Sequence, residues 1–270
     1  MSLLVMASAI GSAPAHQAHA ASTDWIETDG ARIRLSALAP SEDGTIQAVL
    51  DVDLLPGWKT YWKDPGEAGV PPSLAVERSK NITSAEIHFP APERITDDYS
   101  TWAGYDYPVL FPITLRQDSS GEASVLEADL FLGICQDICI PFQTSFSLVL
   151  DPDTPANAFE ERLVRRAFRA LPAPPDDGFQ VLEHAIAEDG QSMMLTVEAP
   201  DGEPEAELFV TGLPGWRLDT PQVVDRDGDV VTFRVDVSRR PEGETLAGQT
   251  VSLLVKASGR AIQTELALPD

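Results

Sequence analysis

Cysteine is nearly missing from this chain of 270 residues: Cys135 and Cys139 are the only two, and both fall in the stretch LFLGICQDICIPF at 130–142. Two thiols are too few for a disulfide framework or for an all-cysteine zinc site. Basic residues are scarce as well, 19 Lys and Arg against 43 Asp and Glu, for a net charge of −24. Such a surface has little with which to displace counterions from a phosphate backbone, which argues against nucleic acid as a partner, and anionic membranes repel it. No run approaches the ~18 consecutive apolar residues needed to span a bilayer. Before Arg32 there is no Lys or Arg at all. The leader MSLLVMASAIGSAPAHQAHA still has a short apolar run, Leu3 to Ile10, followed by Ala18-His19-Ala20 as an A-x-A cleavage site. Residues 1–20 are therefore read as an export signal without its positive flank, and the rest as a soluble protein outside the cytoplasm. There a cysteine pair can stay oxidised.

What the chain does contain is short strands. RIRLSAL, IQAVLDVDLL, PVLFPITL, VLEADLFL and SFSLVL are punctuated by Pro, Gly and Asp up to Leu150, and SMMLTVEA, AELFVTG, VVTFRVDV, TVSLLVKA and AIQTELAL follow from Phe179 onward. Helical spacing occurs over 155–171, where Phe159, Leu163, Val164, Ala167, Phe168 and Leu171 recur at helical intervals and Pro155 suits the first turn. PAPPDDG ends that helix. DRDGDV reads as a hairpin turn, and LPGW occurs twice, at 55–58 and 213–216, a weak sign of duplication. The expected fold is all-β: two Ig-like β-sandwich domains joined by a short helical connector. The boundaries expected are 24–152 for the first sandwich, 153–177 for helix and linker, and 178–270 for the second sandwich.

A disulfide needs Cα atoms roughly 4.4 to 6.8 Å apart, whereas four residues of extended strand span about 13 Å, so a bonded Cys135 and Cys139 require a turn between them. A hairpin with Gln136-Asp137-Ile138 as its loop sets Cys135 opposite Cys139, Leu132 opposite Phe142, Ala128 opposite Phe146 and Leu126 opposite Leu148. Both even-numbered apolar sets then share one face, and the cysteines fall on the other. A bond closing so small a loop stabilises little, which suits exchange better than bracing. A structural staple and a two-thiolate Cu(I) site are the other readings. For the latter, His88 and His184 are the only histidines past the leader and neither has a ligand near it in sequence; of Met193 and Met194, at least one is expected in the core. The ionisable neighbours in sequence are Asp137 and Asp129, with no Lys, Arg or His between Gln117 and Arg162. A sluggish thiol, activated within a docked partner, is expected.

The segments GWKTYWKDPGEAGVPP (57–72), IHFPAPERI (87–95), GYDYPVLFPITL (104–115) and CQDICIPF (135–142) resemble the N-terminal periplasmic domain of the DsbD family of thiol:disulfide interchange proteins, and more closely its ScsB-type relatives. The resemblance implies a periplasmic protein with Cys135 and Cys139 as its redox pair and no cofactor. It implies electrons taken from a membrane-embedded thiol reductase, acting in trans because the chain stops at Asp270, and passed to thioredoxin-like periplasmic proteins. It also implies a role in copper tolerance or cytochrome c biogenesis, and an aromatic cap over the cysteines, for which Tyr99 and Trp102 in TDDYSTWAGY are the candidates. Between the two cysteines, Cys135 is expected to attack outward and Cys139 to be resolved within the domain. A binding module with a merely structural disulfide, and a copper-tolerance accessory protein, remain alternatives.

Overall fold

The computed structural model describes residues 22–66, 69–96, 101–136, 138–154, 157–202 and 205–270. The expected export signal, Pro155 and Tyr99 lie outside the described residues. The first unit has two antiparallel sheets. One orders the strands Ile26–Glu27, Ala31–Ala37, Thr45–Leu54, Val109–Arg116 and Ser84–Ile87; the other orders Cys139–Leu150, Ser124–Cys135, Lys59–Tyr61, Thr101–Tyr105 and Glu93–Thr96, with Ser73–Ala75 also paired to Ser124–Cys135. Period-two alternation explains why these segments are strands. Along Ala31–Ala37, Ile33, Leu35 and Ala37 are buried, while Arg32 and Arg34 face out and pair across the ladder with Asp53 and Asp51 at 2.7 and 2.8 Å. The inward faces of both sheets meet in one core that includes Leu50, Phe111, Leu130, Leu132 and Phe146.

The cysteine hairpin has the expected register: Cys135 faces Cys139, and Leu132, Ala128 and Leu126 face Phe142, Phe146 and Leu148. Cys139–Leu150 is the outermost strand of its sheet, so its far edge has no strand beside it among the described residues.

The helix runs Ala158–Arg169 and is begun by Asn157, whose side chain accepts from the backbone of Phe159 and Glu160 while the Glu160 carboxylate reaches back to the Asn157 N–H. It does more than connect. Val164 and Ala167 pack against Val49 on the outer face of the first sheet. Phe159, expected on that stripe, is instead 46% exposed, with the Arg34 guanidinium 4.9 Å above its ring.

The second unit has sheets ordered Gln180–Ile186, Ser192–Glu198, Val230–Arg239 and Arg217–Leu218, and Glu207–Thr211, Thr250–Ala257 and Arg260–Ala267. Gln222–Asp227 and Val230–Arg239 form the expected hairpin, and Met193 is fully buried in the core between the sheets. The two LPGW segments adopt the same turn: Trp58 and Trp216 each donate N–H to the leucine carbonyl, and Gly57 and Gly215 sit at φ 82° and 80°. Proline second and left-handed glycine third define a type II turn, so the repeat is explained by the demands of one turn at two places.

The units are packed together. Phe209 and Leu254 of the second join the core of the first, Phe209 lying edge-on to Trp62 at 5.5 Å. Arg94 donates to the Leu208 carbonyl at 2.8 Å and to Glu207 at 3.2 Å, and Lys256 reaches the Pro92 carbonyl and the Glu93 carboxylate at 2.8 and 2.7 Å.

Candidate functional site

Cys135 ends one strand, Cys139 begins the next, and the hairpin between them brings their Cα atoms to 4.1 Å, bonded as a disulfide. The expectation that both sulfurs lie on the face away from the main core holds, but that face is not open to water. Cys135 is 1% exposed and belongs to a second, small cluster with Tyr61 and Trp102, flanked by Ile95. Cys139 is exposed, and Ile138 before it is 78% exposed. The two cysteines therefore differ: Cys139 is the residue at the surface, and Cys135 is the sheltered one.

The shelter is built by three strands. Lys59–Tyr61 pairs with the end of Ser124–Cys135, placing Lys59 opposite Cys135. Tyr61, two residues on, points to the same face, and its hydroxyl oxygen stands 2.8 Å from Cys139 Sγ and 3.1 Å from Cys135 Sγ. In the disulfide neither sulfur carries a proton, so the phenol is the donor. Glycines make room for this ring. A Cβ at Gly133 would come within 2.9 Å of the Tyr61 ring, and one at Gly69 within 2.6 Å of its opposite edge.

Trp102, on Thr101–Tyr105, packs edge-on against Tyr61 at 5.4 Å and is 2% exposed, closing the cluster from the side. Of the two cap candidates, then, Trp102 touches the sulfur cluster, and Tyr99 lies outside the described residues. The Lys59 ammonium rests 4.8 Å from the centre of the Trp102 ring. On its other side Trp102 lines a cleft of ≈570 Å³ between the units, shared with Trp62, Arg94, Phe209 and Trp216.

Sequence reading missed Tyr61 and Lys59. Both stand in WKTYW, whose aromatic density is equally that of a packed sandwich corner. It also took Asp129 for a charge bearing on the thiols, whereas Arg78 neutralises that carboxylate, at 2.6 Å, and with Ser145 holds its pKa below the usual carboxylate range. Among the described residues no group of three or more His, Cys, Asp or Glu side chains gathers as a metal site, and no helix is long and apolar enough to cross a membrane.

A buried cysteine bonded to an exposed one, beside a hydroxyl donor and a packed indole, suits thiol exchange. Residues 22–151 match the family described as the N-terminal domain of the thiol:disulfide interchange protein DsbD. Those 130 residues, just under half of the chain, are similar to the DsbD N-terminal family. The crystal structure of the N-terminal periplasmic domain of ScsB from Proteus mirabilis is similar over 93% of this chain and 99% of that one, with 27% identity and a TM-score of 0.76. That likeness extends past the DsbD segment into the second unit, where residues 170–270 match a domain of unknown function, DUF8393. The Escherichia coli adhesin FdeC aligns with 87% of this chain and 62% of its own at 12% identity, but a TM-score of 0.20 carries no argument. No curated protein matches by sequence. The match over 22–151, with the Cys135–Cys139 disulfide at its hairpin, supports a thiol:disulfide interchange domain in the first unit.

Proposed function

We propose that the protein passes electron pairs in the periplasm from a membrane-embedded thiol reductase to thioredoxin-like partners, with Cys139 exchanging with the partner and Cys135 resolving. The observation that carries this reading is the difference in exposure between the bonded cysteines. In the reduced domain the Cys139 thiolate attacks a partner disulfide; a Cys139–partner bond forms, and the first partner sulfur leaves as thiolate and takes up a proton. Cys135 then attacks Cys139 Sγ, the domain disulfide forms, and the second partner sulfur leaves with its electron pair. Two electrons and two protons have passed to the partner. Running the same steps backwards against a donor dithiol reduces the domain again.

The Tyr61 hydroxyl, within reach of both sulfurs, supports the sulfur that carries charge at each stage. Trp102 acts as the lid. Its indole N–H is buried with no hydrogen-bond partner among the described residues, and an unmet donor costs about 1–3 kcal/mol, so its closed position is one that a docking partner can displace.

The test is to express Cys135→Ala and Cys139→Ala separately, quench thiols in acid, and run non-reducing gels. Cys135→Ala, which keeps the exposed sulfur, is expected to accumulate mixed disulfides with thioredoxin-like proteins, and Cys139→Ala is not. If neither variant holds a partner where a known exchange protein does, the shuttle reading fails.

A further inference from the structure

Lys59 has no part in the exchange just described, yet it is the side chain directly opposite Cys135 in the ladder, as Cys139 is on the other side. Residues directly opposed in antiparallel strands project from the same face with Cβ atoms about 4.5–5.5 Å apart. Lys59, Cys135 and Cys139 therefore stand in a row across three adjacent strands. The Lys59 ammonium lies on the Trp102 ring, and Trp102 is packed with Cys135 and Tyr61. In a chain of net charge −24, a cation is thus set on the ring that packs with the cysteine sealed from water. Burial opposes ionisation of a thiol, and resolution needs Cys135 as a thiolate; a neighbouring positive charge offsets the first to allow the second.

We propose that Lys59 is a positioning residue for the resolving step, its ammonium favouring the Cys135 thiolate that displaces the partner from Cys139. The proposal rests on the exchange reading of the cysteine pair. The step is the one balanced above: the Cys135–Cys139 bond forms, the Cys139–partner bond breaks, and the electron pair leaves on the partner sulfur. Among the described residues, the other ionisable groups on the strands around the site include the Tyr61 phenol on the same strand and Asp106, which follows the Tyr105 that pairs with Thr60. Asp137, between the cysteines, and Asp97 and Asp98, between Glu93–Thr96 and Thr101–Tyr105, lie outside the described residues. All four carboxylates are retained in the comparison below, so it reads the Lys59 ammonium alone.

The experiment uses the full chain carrying Cys139→Ala, in which Cys135 is the single thiol. Its ionisation is followed across pH by ultraviolet thiolate absorbance and by alkylation rate, with Lys59 intact and as Lys59→Met, Lys59→Gln and Lys59→Arg. Removing the charge is expected to raise the midpoint by about one pH unit, a tenfold loss of thiolate at neutral pH or about 1.4 kcal/mol, and arginine to restore it. Two neutral replacements keep the test usable if one of them fails to fold by circular dichroism. An unmoved midpoint overturns the proposal. So does an unmoved midpoint with faster alkylation at high pH, which makes Lys59 only a clasp on Trp102. In parallel, the folded parent is treated with a mild dithiol. A disulfide that resists it sinks the exchange reading, whereas a reducible pair with an unmoved midpoint sinks the Lys59 assignment alone.

Discussion

Replacing Gly133 with alanine adds one methyl group to a buried strand position, and the structure says what that methyl meets. It would lie 2.9 and 3.0 Å from two carbons of the Tyr61 ring, several tenths of an ångström inside ordinary contact. A ring at the surface would swing aside. This one is 4% exposed, and its far edge is closed by Gly69, where even a Cβ would be 2.6 Å away. The overlap must be relieved by moving the strand or tilting the ring, and overpacking of this kind costs about 1–3 kcal/mol. For a chain of this size 2 kcal/mol corresponds to a melting temperature lowered by about 4–8 °C. The same tilt draws the hydroxyl off the sulfurs, so Cys135 in the reduced protein should alkylate faster. The decisive assay is a double-mutant cycle by thermal or urea unfolding, with Gly133→Ala made in the parent and in Tyr61→Ala. If the ring is what the methyl strikes, the cost should largely vanish once the ring is gone. An equal cost in both backgrounds would refute the reasoning and put the strain in the backbone.

Reduction of the disulfide should leave the protein folded. A loop this short restrains the unfolded chain by no more than about 2 kcal/mol, so melts of oxidised and reduced protein should differ by only a few degrees, and unfolding on reduction would make the bond a staple. Arg94→Met should loosen the two units, since Arg94 bonds both Glu207 and the Leu208 carbonyl and lies 4.4 Å from the Phe209 ring. A loss of about 1.5–3 kcal/mol is expected from the charged hydrogen bonds, with faster proteolysis in the linker at 170–177; an unchanged cleavage rate would show that apolar packing alone joins the units.

The hairpin register was legible because a bond between Cys135 and Cys139 sets them opposite each other, and alternation then puts the apolar even positions of both strands on one face. The asymmetry of the cysteines was not legible, because nothing near them in sequence causes it. The covering residues come from Lys59–Tyr61 and Thr101–Tyr105, strands that reach Cys135 only through tertiary pairing. Asp129 shows the same limit, since its neutralising Arg78 lies on a distant loop. The helix was visible from its period, but Phe159 was misplaced, because an apolar stripe does not reveal that its first turn meets an arginine of the sheet. For Tyr61 a faint signal existed: Gly69 and Gly133 both lie in segments where a side chain would be ordinary, and each turns out to border the same ring.

The edge-on contact between Phe209 and Trp62 gives the cysteine-free unit a stake in the sulfur chemistry. Trp62 follows Tyr61 in the chain, and alternate residues of a strand lean to opposite faces, so Trp62 anchors from below the backbone that holds the phenol above. Severing the molecule at the linker would strip Phe209 from that anchor and leave a large indole facing water. The excised first sandwich is then a different chemical object from the same sandwich in place, and a potential measured on the fragment would not transfer to the whole.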